Sequence, residues 1–440
     1  MRTRAWITRY AVLVALALLV VGTRTNAEIG LYDKDGKKLH LLLELQAAAF
    51  NGNDAYFGEA ESFVGDDVDH WSENAVEFGI GGELPAGATR LFGEVSALHT
   101  RSYGDDATGF SVGLDDPSET RIEQGHIGWS SGSAFSSLDE NALTVKAGRF
   151  DYRIGTGLLV ADGGGDGGGR GGWWIGARKA FKDAALVSFD SGPWLVEAFT
   201  MKNQPRRGSA EGRGWGGNFE RAFGESLNLG FSAIHVTDTG LTDVPSMNVG
   251  SIRGDWSFGK GWSLSGEYVE QGQNDWEGEG YYAQGAYQWK NAPWAPRASY
   301  RYSHLSGDDL DTVEREGFNP VAYGSSDWGT WYQGEITGNY PLENSNLNTH
   351  QVRLQLTPTE ELKLNVLFYH FTLDENNIFG VPLSDDDFGD EVNVTADWSV
   401  TEHVYVIGTL GYLMPGDAGE EWTGGNDDWL YSMAYVSYTF

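Results

Sequence analysis

The chain closes on DWLYSMAYVSYTF, residues 428–440, in which every second side chain from Phe440 back reads Tyr438, Val436, Ala434, Ser432 and Leu430. A period of two is the signature of a β-strand, and a mostly apolar strand must be covered on at least one face. The alternation recurs in LHLLLELQA (39–47), GWSLSGEYVE (261–270), HQVRLQLTP (350–358), ELKLNVLFYHF (361–371) and VNVTADWSV (392–400). In residues 361–371 the apolar set is Leu362, Leu364, Val366 and Phe368, and the facing set begins with Lys363 and Asn365. One greasy face per strand, repeated along the chain, calls for lipid. A sheet in lipid has no water for its edge groups, so it must close on itself.

The spacing predicts about eighteen strands of roughly ten residues, from 38–49 to 429–440, the length that a tilted strand needs to cross a bilayer. The long connections 50–73, 100–120, 151–182, 203–213, 237–247, 271–279, 305–346, 374–390 and 414–428 alternate with tight ones, with 131–142 intermediate. That asymmetry predicts an all-β, transmembrane antiparallel barrel with periplasmic turns, external loops and both termini periplasmic. Trp129, Trp194, Trp256, Trp262, Trp289 and Trp398 fall near strand ends, as the aromatic girdles at the two interfaces require. Tyr438 and Phe440 form the expected membrane insertion signal, read by the barrel-assembly machinery.

Residues 1–27 read as a secretory signal peptide, with Arg2, Arg4 and Arg9 before the apolar run Ala11–Val21 and small residues at the exit Thr25-Asn26-Ala27. Residues 28–440 then form a single barrel in the outer membrane of a Gram-negative bacterium. No later run is apolar for long enough to span as a helix. The chain has no cysteine, which removes thiolate metal sites and cysteine nucleophiles. The formal charge of −33 becomes about −37 without the four leader arginines (26 Lys and Arg against 63 Asp and Glu), which argues against nucleic acid as a partner.

ADGGGDGGGRGGWW (161–174) lacks the Gly-Lys-Ser/Thr element of a phosphate loop and reads as a flexible loop that folds into or over the pore. The acidic runs at 66–69, 308–309, 385–387 and 427–428 read as solvated loop surface, with oxygen-ligand calcium binding as the alternative. His304 and Ser306 sit together and His370 lies on a strand. A hydrolase needs a Ser–His pair held with an orienting third group, and chance proximity is the better account, so no enzyme activity, cofactor or metal is expected. Arg253, Arg297, Arg301, Arg353, Lys363 and Lys146 oppose the apolar set and so face the lumen, since a charge facing lipid at mid-depth costs about 2–4 kcal/mol. Glu44, Glu77, Glu94, Glu197, Glu220, Asp255, Glu267 and Asp397 share that face, which makes the lumen mixed.

Three stretches resemble the alginate-export type of outer-membrane channel. LTVKAGRFDYRIGTGLL is similar to a Gly-Arg element, here Gly148, Arg149, Arg153 and Gly155. WWIGARKAFKDAAL is similar to a Trp–Arg–Phe–Asp element, here Trp174, Arg178, Phe181 and Asp183. The third runs from GFNPVAYG through NSNLNTHQVRLQL to residue 375. The resemblance implies a monomeric eighteen-stranded barrel whose arginine-rich pore passes a polyuronate. The lumenal carboxylates depart from that pattern. The expected substrate pathway is Arg149, Arg153, Arg178, Asp183, Arg253, Arg297, Arg301, Arg353 and Lys363. The expected partners are outer-membrane lipid, lipopolysaccharide, and an anionic glycan or small solutes. A solute-specific or general porin and a surface structural or adhesin barrel are the rival readings.

Overall fold

A computed structural model describes residues 29–66, 68–204, 211–238, 246–273, 276–324, 333–342 and 344–440. The signal-peptide segment 1–27 lies outside the described residues. Nineteen strands form one antiparallel sheet. A short β1 (Ile29–Lys34) precedes β2 (Lys37–Asn53), β3 (His70–Ala86), β4 (Thr89–Tyr103), β5 (Ser118–Ser130) and β6 (Leu143–Phe150). Then come β7 (Phe181–Ser191), β8 (Trp194–Lys202), β9 (Arg213–Phe223), β10 (Leu227–Asp238), β11 (Met247–Phe258) and β12 (Trp262–Gln273). The remainder are β13 (Trp276–Gln288), β14 (Arg297–Leu305), β15 (Leu347–Thr359), β16 (Leu362–Thr372), β17 (Asp387–Ser399), β18 (Val404–Pro415) and β19 (Trp429–Thr439).

Strands β2 to β19 pair in sequence order, and β19 pairs back on β2 from Glu44↔Thr439 to Asn53↔Leu430. The barrel is therefore closed, with eighteen strands, and the greasy C-terminal strand is its last stave. β1 was not legible in the alternation. It pairs with the first residues of β2, Lys34↔Lys37 to Ile29↔Leu41, just past the point where the Phe440 N–H donates to the Leu43 carbonyl at 2.9 Å. β1 thus continues the column of β19 and covers an edge of β2 that would otherwise be bare. The first and last described residues lie at the tight-turn end.

The outer surface carries the alternating apolar set on every side of the barrel: Phe78 on β3, Ile127 on β5, Val187 on β7, Phe231 on β10, Ile252 on β11, Val352 on β15, Val366 on β16 and Leu410 on β18 are all exposed. In water these side chains would be a liability; against acyl chains they need no other cover. All six tryptophans singled out above sit at tight-turn ends of strands or beside them, so they form one girdle. The second girdle uses other residues: Trp215, Tyr268, Tyr281, Tyr300 and Tyr302, toward the long loops. Expected loop 271–279 is also wrong in length, because β12 runs to Gln273 and β13 starts at Trp276. Polar alternation in WEGEGYY hides a strand end that stands clear of the apolar band.

Candidate functional site: the lumen and its arginines

Two long connections turn inward, one through residues 151–180 and the other through 316–324 and 333–342. They meet along a parallel bridge, Val160↔Ala322, where the Ala161 N–H donates to the Ala322 carbonyl at 2.8 Å. Their apolar residues Ile154, Leu158, Leu159 and Phe318 pack on the inward faces of β8 to β13 through Phe199, Met201, Ile234, Val249 and Tyr282. A second cluster joins Ile175, Ile336 and Tyr340 to Phe50, Trp71, Tyr369 and Tyr431 on the opposite staves. These loops fill the long-loop half of the barrel.

Wall carboxylates hold the loop backbones. Glu73 of β3 accepts the N–H groups of Trp174 and Ile175 at 3.2 and 3.0 Å, and Glu123 of β5 accepts those of Lys179 and Ala180 at 2.8 and 2.7 Å. Glu391 of β17 accepts the N–H groups of Ile336 and Thr337 at 2.8 and 2.9 Å and the Thr337 hydroxyl at 2.7 Å. The loops also hold each other: the Trp174 indole N–H donates to Glu335 at 2.7 Å and that of Trp173 to the Asn339 carbonyl at 3.1 Å. Buried loop backbone needs such partners, and here the wall supplies them. Glu73, Glu123, Glu335 and Glu391 were missed in the sequence. Only alternation around Glu73 and Glu391 signalled an inward position; nothing signalled the ligand, which is backbone.

The glycine-rich run is structural. A side chain on Gly164 would collide with the Arg178 carbonyl, and one on Gly163 would strike the Phe181 ring. Arg178 itself is 1% exposed. Its guanidinium pairs with Asp166 at 2.7 Å, bonds Thr100 and donates to the Glu119 carbonyl at 2.8 Å. Arg170 adds bonds to the carbonyls of Gly164, Gly165 and Gln204 at 2.9, 2.6 and 2.9 Å. Arg178 therefore fastens the loop to β4 and β5 and has no free fork for a solute. Arg149, half-buried, donates to the Glu123 carbonyl at 3.0 Å and to Gln204 at 2.6 Å. Arg153 lies within the inward loop, close to Gly157. Asp183 points to the outer face, with Lys202 as its rung partner; it is not in the lumen.

Of the strand arginines, Arg253 is 7% exposed beneath the loop. It pairs with Glu220 at 2.6 Å, donates to Ser232 at 2.8 Å and bonds Asn218. Gly155, at φ 53°, crosses over it so closely that a Cβ there would lie 2.7 Å from the Arg253 Cδ. Only glycine meets both demands. Arg253 does not extend the ladder.

Arg297, Arg301 and Arg353 do form one. On β14 and β15 the rungs are Arg297↔Gln355, Ser299↔Arg353 and Arg301↔Gln351, which sets three guanidiniums in a zigzag on two adjacent staves. Their partners are neutral. Arg301 donates to Gln284 at 2.9 Å and lies 5.1 Å over the Tyr282 ring; Arg353 donates twice to the Asn365 carbonyl oxygen, at 3.0 and 2.7 Å; Arg297 reaches Ser263 at 3.5 Å. Asn365 then donates to Asp397 at 2.9 Å, so an amide separates the ladder from the nearest carboxylate. Among the described residues none of the three has an ion pair. Arg301 is 6% exposed, and among the described residues its Nε has no partner and its guanidinium no anion. Lys363 stands exposed at the tight-turn mouth of the same wall, its rung partner being Asp397. Glu44, Glu77, Glu94 and Glu197 belong to β2, β3, β4 and β8, across the lumen from the ladder.

His304 and His370 face outward with carboxylates, His370 at 2.9 Å from Asp390, while Ser306 donates to the Glu316 carbonyl at 2.6 Å. They are not brought together as a nucleophile and base.

Residues 248–428 match the model of a family described as alginate export. That range includes the ladder and the third resembling stretch, but not the Gly148–Asp183 elements. No curated protein matches the chain. Among solved structures, Pseudomonas aeruginosa OpdK aligns over 91% of this chain and 98% of its own at 14% identity and a TM-score of 0.56. OpdK with vanillate gives 15% identity, the same coverage and a TM-score of 0.54. OccD3 (OpdP) from the same organism covers 96% of each chain at 12% identity and 0.54. These likenesses are of fold. The chain is a closed β-barrel that shares its fold with these outer-membrane proteins, and over residues 248–428 it matches the alginate export family model.

Proposed function

We propose that this channel passively conducts an anionic oligosaccharide or polysaccharide past the Arg297–Arg353–Arg301 ladder. The observation that carries the reading is three lumenal guanidiniums held, among the described residues, by amides, a hydroxyl and a ring. A planar fork matches a carboxylate in two bonds, and a row of moderate sites lets a polymer step from one to the next without being trapped. Asn365, poised between Arg353 and Asp397, keeps the ladder basic inside an acidic molecule. The test is bilayer conductance of the purified protein under a salt gradient, with and without uronate oligomers. Weak anion preference at low salt, fading as salt shortens the screening length, and block by the oligomers support it. Cation preference without block transfers the role to a general porin.

The second reading, a porin for small carboxylates, draws on the same ladder and on a shared fold with OpdK, which has been solved with vanillate. Uronate monomers that block as well as oligomers favour it. The channel is proposed to be a monomer with both termini periplasmic. Surface tags at the exposed residues 310–314 and at 383–388 are expected to be accessible on intact cells, and a tag at 359 is not. Labelling at 359 reverses the topology. Tyr438 and Phe440 are proposed as the insertion signal, so deleting Phe440 leaves the chain out of the membrane.

A further inference from the structure

The rim of the lipid-facing surface differs in charge from one side of the barrel to the other. On β13 to β17 its outward positions hold Glu277, Glu279 and Asp390 with His304, His350 and His370. On β7 to β9 the outward rung Asp183↔Lys202↔Arg213 carries two cations on neighbouring staves. Lys182 stands beside them and reaches Glu211 at 2.9 Å, while Lys202 bonds the other oxygen of that carboxylate. Among the described residues, three cations thus face two carboxylates, Asp183 and Glu211, in a chain of net charge −33. Arg213 is exposed and has no ion pair among the described residues.

The depth of this rung is fixed by its neighbours. One rung nearer the membrane centre is Ala185↔Thr200↔Trp215, with Trp215 56% exposed and packed 5.4 Å from His235. An outward tryptophan marks the boundary between acyl chains and headgroups. Lys202 and Arg213 therefore stand at headgroup height. The next rung inward is Val187↔Ala198↔Gly217↔Ala233, where small side chains leave the wall low between Val196 and Phe219. A groove of about 380 Å³ lies rimward of this low wall, on the Asp183 and Ala185 rungs, lined by Asp183, Ala185, Thr200, Lys202 and Arg213 among others.

We infer that this groove holds a phosphorylated glycolipid of the outer leaflet, of the lipid A type. The phosphate sits between the Arg213 fork and the Lys202 ammonium, and an acyl chain lies along the trough of Ala185, Ala198 and Gly217. The charge complementarity is local: a phosphate carries the opposite sign to this rim and the same sign as the carboxylates on β13 to β17. Glu211 is the built-in competitor, and the arriving phosphate takes over its bond to Lys202. The inference rests on the long loops facing outward and is independent of what passes through the pore.

The test is native mass spectrometry of the purified channel with bisphosphoryl lipid A, its fully dephosphorylated form, and inorganic phosphate as competitor. Three variants are compared: Lys202→Gln with Arg213→Gln, Ala198→Trp to fill the trough, and Glu277→Gln with Glu279→Gln on the opposite rim. Heat-modifiable migration on a gel confirms that each variant is folded. The expected result is retention of bisphosphoryl lipid A, about tenfold weaker without its phosphates and about tenfold weaker in either groove variant. The opposite-rim variant and the single-channel conductance stay unchanged. Equal retention by the Lys202/Arg213 variant, or full displacement by millimolar inorganic phosphate, overturns the assignment.

Discussion

Arg253 and Arg301 are the same residue type, on the same face of the same sheet, and nearly equally buried, yet they meet opposite fates. Arg253 has a carboxylate at 2.6 Å, two further side-chain bonds and a loop glycine over it. Arg301 has an amide and a ring, with Nε unpartnered. Burial therefore does not separate these two arginines; the sign of the nearest neighbour does. A guanidinium neutralised by Glu220 fastens a wall to its loop. One left beside Gln284 keeps its field in the lumen, where low dielectric makes it act over a longer range.

The largest expected effect of breaking this contrast is on stability. Arg253→Met leaves Glu220 and Glu267 together with no cation, and removing one partner of a buried pair costs about 3–5 kcal/mol. Unfolding in urea should register that loss while the reversal potential in a salt gradient scarcely moves. An unshifted midpoint would place Arg253 with the ladder. Next in size is the triple change Arg297→Glu, Arg301→Glu and Arg353→Glu. It should invert ion preference and remove block by uronate oligomers, with normal heat-modifiable migration. A reversal potential that stays put sinks the ladder as the selectivity element. A milder version, Arg301→Gln, should weaken block about tenfold, or about 1.4 kcal/mol, and leave the sign of selectivity alone. Unchanged block would mean that Arg297 and Arg353 suffice.

How much of this was open to inspection in the sequence follows from period two. Alternation over 361–371 put Leu364 outside and Asn365 inside, and the same rule located all eighteen staves and the faces of Arg297, Arg301 and Arg353. It failed where the constraint is not periodic. β1 is held by an edge left bare at the seam, which only closure creates. The inward course of 151–180 depends on Glu73 and Glu123 accepting backbone N–H groups from residues roughly 60 to 100 positions away, and backbone donors leave no mark in a sequence. Arg253 read as pore-lining because its strand is regular; the loop that covers it is not. Asp183 read as a pathway residue by resemblance, yet the strand's register sends it outward.

The smallest expected effect concerns the loops that cover Arg253 but leave the ladder's lower rungs open. Glu335, in the inward loop and not in a spanning strand, is fully buried between the Trp174 indole at 2.7 Å and the Tyr431 hydroxyl at 3.3 Å. Burial pushes its carboxyl up to about 8, and the nearby Glu391 and Asp397 push the same way. Its second oxygen is buried with no partner and is the natural seat of the proton. A raised value means that docking of this loop is favoured when the acid is neutral. The contribution is fully present below the ordinary value of 4.5, declines as pH rises and is lost through about 8. Single-channel recordings should therefore grow noisier between pH 6 and pH 9 as the contact with Trp174 loosens. Glu335→Gln keeps the acceptor and removes the titration, so its noise should be flat across that range. Noise that rises equally in the variant would assign the pH response to another group.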